Sequence, residues 1–528
     1  MHRIVVLSVF LFIALMVQAQ EFVSVKGLVY HDLNSNGKRE KSEPGIAGVA
    51  VSNGSDVVLT DASGAYQLQI QATDGQLFVI KPSAYNYPVN KNNLPQFFYL
   101  HKPNGAPKMK FETLHETGPL PESVDFGLLT GCDSEVFSVI VASDPQAYTE
   151  EQVSFYETDI VNELKTNTEA VMGFTLGDIV GDRPDLFEAM NAATGKIGLP
   201  WFHVPGNHDM NYDAKNSDQA DESFERYYGP STYSFNQGKV HFFVLNDVVY
   251  PNTYNDQQYI GGLSEKQFSY LENVLKTIPK ENLLVFLMHI PLYNELQWGE
   301  TFRNEHRSRF FELLKDRPFT FSLSGHTHTQ RHYFFDEKQG WLQSNPHHHY
   351  TVGTASGDWW SGAPKANGVP VSTMSDGTPN GYNVLSFDGN TYSYEYKAAS
   401  FDSGFKMRVY GPNIVPANSY FRGEFYVSFF QGNETDTVYF RLNNGAWKKM
   451  RYVVEADPFF CAVRYEWDHA TVLPAGTRPS NPTLCYHLWK ARVPNRLPEG
   501  LHEIAIRVKD RYGREYNANY SFKAVKPD

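Results

Sequence analysis

The 528-residue sequence holds three cysteines, Cys132, Cys461 and Cys485, too few for a fold built on disulfides. In an oxidising compartment Cys461 and Cys485 form one candidate pair, and three buried free thiols form the equal alternative. Basic residues are also in deficit, 46 Lys plus Arg against 59 Asp plus Glu, a formal net charge of -13. That balance excludes nucleic acid or an anionic membrane surface as the main partner. Long apolar runs are missing beyond the extreme N-terminus, and with them any expectation of a transmembrane anchor. The run from Ile4 to Val17 is short, follows a basic residue and leads into Val17-Gln18-Ala19, the pattern of a secretory signal peptide. Internal repeats of fixed period and low-complexity linkers are lacking too.

At this length one hydrophobic core does not suffice, so several domains are expected. Residues 1–19 read as the signal peptide. Residues 20–131 contain short alternating runs (FVSVKGLVY, AYQLQI) broken by Gly, Asn, Asp and Pro, which predicts an N-terminal β-sandwich. Residues 132–396 change texture to unalternating apolar runs between helical segments, the mark of an α/β domain whose sheets are covered on both faces. Two helices in it announce their caps. Thr149 with Gln152 opens one, and Ser264 with Gln267 opens another, with Leu263 and Phe268 placed as a hydrophobic staple. Alternation returns over residues 397–528 (FRGEFYVSFF, TVYFRLNN, HEIAIRVKD), predicting a C-terminal β-sandwich.

In the first region DLNSNGKREKSE places Asp32, Asn34, Asn36, Gly37 and Glu43 at calcium-loop spacing. A strand-like VKGLVY before it and PGIAGVAV after it do not fit a helix-loop-helix. It resembles instead the opening of bacterial surface-adhesin β-domains, some of which bind calcium. Two readings stand: a weak structural calcium site on Asp32, Asn34, Asn36 and Glu43, or an Asx-rich turn.

The central apolar runs all stop on polar side chains. VIVASDPQ ends at Asp144 with Gln146 two residues on, VMGFTLGD at Asp178, WFHVPGNHD at Asn207, His208 and Asp209, LLVFLMH at His289, and FTFSLSGHTH at His326 and His328. In open α/β sheets the carboxyl ends of parallel strands share one edge, so these residues converge. Imidazole, carboxylate and a neutral amide oxygen suit Mn, Fe or Zn, whereas an all-oxygen set would suggest Ca or Mg. Two such cations about 3.5–4 Å apart need a bridging anion, a role for a carboxylate such as Asp178. A buried polar network without metal would be costly at this density of charge.

The series D-x-Q, GDxxxD, GNHD, a lone histidine after a strand, and GHTH resembles the calcineurin-like metallophosphoesterases over roughly residues 137–388. The resemblance implies two β-sheets flanked by helices and a dinuclear centre, with Asp144, Asp178 and His328 on one metal and Asp178, Asn207, His289 and His326 on the other. It implies hydrolysis of a phosphate ester by in-line attack of a hydroxide bridging the metals, with His208 beside the phosphate and Asp209 orienting it as the catalytic pair. The flanking regions are similar to the β-domains of secreted bacterial members. Gln146 departs from the pattern, since the family more often has histidine there, and as an amide oxygen it is the weaker ligand. Asp182 reads as supporting rather than ligating.

Several residues carry two readings. His203, inside WFHVP, reads as a core histidine. The tract His347, His348 and His349 continues into YTVG, so alternate members face one side, and His349 is taken as lining the site. Trp359, Trp360 and Tyr212 read either as core caps or as substrate-stacking groups. Trp447, Trp467 and Trp489 read mostly as core, with a carbohydrate-facing minority as the alternative. The whole is thus expected to be an exported hydrolase, periplasmic or on the cell surface, acting on a small phosphate ester or an envelope component. The alternatives are a phosphodiesterase or pyrophosphate hydrolase, or a surface glycan-binding protein with a weakened catalytic domain.

Overall fold

The computed structural model describes residues 21–167, 169–295 and 300–527; the signal-peptide segment lies outside them. Three sheet-rich regions follow one another, as the change in apolar patterning predicts. The first is a sandwich of two four-stranded sheets, one carrying Phe22–His31 and Ala65–Gln71 and the other Ala50–Ser52 and Gly75–Ile80. Every second residue of Ala65–Gln71 is buried. Inward residues such as Val25, Val51, Leu68 and Val79 share a core that runs on into the next region. At that junction Lys81 is buried, and its Nζ donates to Asn236 O at 2.6 Å.

The central region begins with β1 (Val136–Ala142), β2 (Met172–Leu176) and β3 (Trp201–Val204). Then come β4 (Tyr233–Gln237), β5 (Val240–Val244), β6 (Leu283–Leu287), β7 (Thr320–Ser324), β8 (Arg331–Phe335) and β9 (His347–Thr351). It closes with β10 (Gly381–Asp388) and β11 (Thr391–Ala398). One sheet has the order β3-β2-β1-β10-β11 and the other β4-β5-β6-β7-β9-β8. Strands β1 to β3 are mutually parallel, as are β5, β6, β7 and β9. No residue of β2, β5, β6 or β7 is exposed, which explains why these runs do not alternate. The two sheets meet through aromatic rings, Phe202 on Phe235 at 4.4 Å and Phe174 on Phe242 at 5.3 Å between centroids.

Both capped helices form. Thr149 accepts from Gln152 N at the start of Glu150–Tyr156, which continues through a π-turn, and Ser264 with Gln267 makes a reciprocal capping box before Glu265–Leu275. Leu263 and Phe268 are both buried, as a staple requires. The last region is a four- and a five-stranded sheet over a core that includes Phe425, Val427, Trp489 and Ile506. It also holds a helix, Pro458–Asp468, that strand alternation did not announce; Asp457 caps it and Pro458 occupies its first turn. Trp489 is core, but Trp467 is only half-buried, and Trp447 lies between Arg441 and Arg507 at 4.9 and 4.5 Å. All three cysteines are free, Cys485 buried and Cys132 and Cys461 exposed. Among the described residues no helix is long and apolar enough to cross a membrane.

Candidate metal centre

Parallel strands β1, β2, β3, β6 and β7 deliver their carboxyl ends to one edge, and each places a polar residue two or three positions beyond its last strand residue. The backbone there takes a turn that L side chains seldom adopt. φ is 47° at Asp144, 41° at Gln146, 49° at Asp178, 74° at His326 and 50° at His328. Left-handed backbone costs such residues roughly 1–2 kcal/mol each, and so much of it on one edge is the pattern of a functional site. Neighbouring glycines make room. A Cβ on Gly325 would lie 1.9 Å from Ser143 Oγ and 2.3 Å from Asp144 Oδ2, so no larger residue fits before His326.

Hydrogen bonds fix both key imidazoles in one tautomer. His289 Nδ1 donates to Leu176 O at 2.8 Å, leaving Nε2 at 3.0 Å from Asn207 Oδ1 and 3.2 Å from Asp178 Oδ1. His328 Nδ1 donates to Gly357 O at 2.7 Å, and its Nε2 lies 3.6 Å from Asp144 Oδ1. A histidine tethered through one nitrogen presents the other as a ligand. Asp178, His289 and His326 offer ligand atoms all within 4.8 Å of one another, a spacing that one cation spans. Gln146 Nε2 donates to Tyr148 OH at 3.3 Å, while its buried Oε1 has no hydrogen-bond partner. A buried acceptor without a donor is costly, and a cation beside Asp144 would satisfy it. The donor set therefore fits metals of the Mn, Fe or Zn kind.

Burial and charge compete throughout this cluster. Burial opposes ionisation of Asp178, but His289, His208 and His326 outweigh it and hold the carboxyl well below the usual range. Burial likewise opposes the charge on His289, and Asp178 and Asp144 overcome it, raising the imidazole to about 10, so a cation taking Nε2 would displace a proton from it. His326 goes the other way, to about 3, because burial and the neighbouring His289 disfavour its cation. It is thereby kept neutral, the form that binds metal.

The predicted catalytic pair is rearranged. His208 Nδ1 faces Asp182 Oδ1 at 2.8 Å, and although burial resists the charge, Asp178 and Asp182 raise the imidazole to about 9. Asp209 does not touch that ring. Its carboxylate accepts the backbone N–H groups of Gly206, Ile179 and Val180 at 2.8, 3.2 and 3.1 Å. Asp209 is the buckle of the two loops, and Asp182 is the partner of His208. Spacing in GDIVGD brings Asp182 near without saying which histidine it meets. A sixth strand end, FFVLND after β5, carries Asp247, whose Oδ1 accepts the N–H of His289 at 3.0 Å. The strand-end pattern that exposed the other five applies equally to it.

The remaining site expectations divide. Trp359 is half-exposed and stacks on His328, ring centroids 4.0 Å apart. Trp360 is buried, and its Nε1 donates to Pro145 O at 2.9 Å, so it anchors the loop instead of facing substrate. Tyr212 lies beside Asn207 and meets Tyr250 edge to face. Two tyrosines absent from the sequence reading join it: Tyr148 at 6.2 Å from the His208 ring and Tyr259 at 5.9 Å from His326. His349 does not line the site. It is fully buried, with both ring nitrogens bonded to Ser322 and Ser324 hydroxyls. His347 shares Ser322 on the same face while His348 turns to Tyr392, as a strand's alternation requires. His203 is a core residue packed on Tyr228 at 4.4 Å. In the calcium-type loop, Asp32 accepts from Asn36 and Gly37 N–H, and Glu43 from Leu33 and Glu40 N–H. These bonds are of the Asx-turn kind.

Residues 137–330 match the family described as calcineurin-like phosphoesterase, residues 33–116 match its N-terminal domain family, and residues 349–516 its C-terminal domain family. Among solved structures, the chain is similar to a dimetal phosphatase from Danio rerio at 13% identity, over 51% of this chain and 100% of that one, with TM-score 0.35. It is also similar to a purple acid phosphatase from yellow lupin (Lupinus luteus) seeds at 12% identity, over 72% of this chain and 67% of that one, with TM-score 0.37. No curated protein matches it.

Proposed function

The chain belongs to the calcineurin-like phosphoesterases and is a metal-dependent phosphoesterase, and we propose which residues perform that chemistry here and on what. Asp144, Gln146, Asp178 and His328 would hold one cation, and Asp178, Asn207, His289 and His326 the other. The observation that carries this assignment is the pair of tethered imidazoles, His289 on Leu176 O and His328 on Gly357 O, each aiming Nε2 at an aspartate. The unpartnered Gln146 Oε1 supports it. When bound, the two metals supply a nucleophile acidic enough to ionise near neutral pH and neutralise charge on the phosphoryl oxygens.

The chain's own residues do the rest. His208, held at Nδ1 by Asp182, presents Nε2 to the leaving oxygen and gives it a proton, a contribution of roughly 10²- to 10⁴-fold. Asp209 keeps the two loops in register by satisfying their backbone donors. Gln146 makes the first site the weaker one, because an amide oxygen donates less to Mn, Fe or Zn than imidazole does. The substrate is a phosphate ester of a small molecule or envelope component, met outside the cytoplasm; the signal-peptide pattern of residues 1–19 supports export. Elemental analysis of the purified protein, followed by a screen of chromogenic mono- and diesters, tests the reading. Two transition-metal ions per chain and chelator-sensitive hydrolysis are expected. Hydrolysis indifferent to chelation and remetallation would overturn it.

A further inference from the structure

Trp359 sits on a loop, residues 354–380, where the C-terminal sandwich meets the centre. Its indole lies on His328 with planes 19° apart, and 42% of the residue stays exposed. A tryptophan serving only packing would be covered as its neighbour Trp360 is. The pose is also strained, with φ 52° at Trp359 and 55° at Trp360. Two successive bulky residues stay in that region only where their surroundings over-determine them.

The loop and the central region supply part of those restraints, as in Trp360 Nε1 on Pro145 O, and the last domain supplies the rest. Ser480 N donates to Asp358 Oδ2 at 2.6 Å, and Gly362 N donates to Thr477 O at 2.7 Å. Further along the loop, buried His487 pairs with Asp376 at 3.3 Å, and the same Asp376 oxygen accepts Gln330 N at 2.7 Å, two residues beyond His328. The sandwich thus grips both the indole's turn and the chain leaving His328.

We propose, building on the phosphoesterase reading above, that Trp359 is a platform for a flat aromatic group of the substrate. The C-terminal sandwich is the clamp that keeps that platform on His328. An indole face discriminates by stacking, which rewards a planar π surface over a saturated ring of equal bulk.

Calorimetric titration of the full-length, Mn-loaded protein with benzylphosphonate and cyclohexylmethylphosphonate isolates this contact, since the two share an anion and differ in the ring. The expected preference for the benzyl ligand is about fivefold to tenfold, the size of one aromatic pair. Trp359→Ala should erase it without weakening the cyclohexyl ligand, and Trp359→Phe should restore most of it. Asp358→Ala and His487→Gln, which loosen the clamp but leave the indole, should each reduce the preference at unchanged metal content. Equal affinity for the two ligands, or a preference that survives Trp359→Ala, overturns the platform; full preference in both clamp variants overturns the clamp. Intact selective binding without turnover of benzyl phosphate would sink the hydrolase reading and leave the platform standing.

Discussion

Asp182 and Asp209 both lie close to His208, and replacing each by alanine separates holding the histidine from holding the loops. Asp182→Ala removes the 2.8 Å bond to His208 Nδ1. A hydrogen bond between charged groups is worth roughly 1.5–3 kcal/mol, and because the Asp182 side chain is 49% exposed, solvent screening puts it at the low end. About 1.4 kcal/mol corresponds to tenfold in rate, so kcat/KM should fall about tenfold for an alkyl phosphate. It should fall less for 4-nitrophenyl phosphate, whose leaving group needs little proton donation. The same bond is lost from the native state, so the unfolding free energy should fall by no more than about 1.5 kcal/mol. Asp209→Ala leaves three backbone donors, on Gly206, Ile179 and Val180, without their acceptor. Each buried orphan costs roughly 1–3 kcal/mol, so the protein should lose at least about 3 kcal/mol of stability. Steady-state kinetics on the two esters, with denaturant unfolding of both variants, decides the matter. A stable Asp209→Ala protein, or an Asp182→Ala protein slowed equally on both esters, would refute this division of roles.

Asp178→Asn should empty both metal positions and abolish turnover, and elemental analysis showing full occupancy would remove Asp178 as the bridge. Gln146→His should slow metal loss to a chelator from one site only, without a necessary gain in turnover; a native protein with two equally chelator-resistant metals would contradict the account of Gln146. Lys81→Met tests the junction of the first two regions. Burial lowers the Lys81 ammonium to about 7 against an ordinary value of 10.5. The unfolded chain therefore binds the extra proton between those values, and native stability rises with pH there, by up to about 1.4 kcal/mol per unit. The methionine variant lacks this term, so the unaltered protein should gain stability relative to it from pH 7 to pH 10; a constant difference would show that Lys81 is not held neutral.

Much of the centre was legible because its chemistry sits in residue types at strand ends. Asp144, Asp178, Asn207, His289, His326 and His328 each follow an apolar run that no other element interrupts; parallel pairing aligns such ends within each sheet, and the packing of one sheet on the other brings the two sets together. What stayed hidden depends on side-chain direction. GNHD does not reveal that Asp209 turns back to three backbone donors while Asp182 takes His208. The His347–His349 tract offered two faces, and only the serines of β7 show that His349 spends its nitrogens in the core. Tyr148 and Tyr259 come from loops of no regular period, so nothing in their spacing ties them to His208 or His326. The helix Pro458–Asp468 was masked by the alternating strands around it, although its Asp-Pro opening was there to be read.

Strand β1 carries Asp144, yet one of its two neighbours, β10, is not reached until Gly381. As the chain emerges from the ribosome or a translocation channel, β1 must wait with one edge bare through the synthesis of both central sheets. Unpaired strand edges recruit other chains, and pairing across so long a separation is slow. Folding in the cell is thus a race between completion of β10 and β11 and association of half-made chains. An expression boundary drawn before Gly381 fixes the molecule in that state.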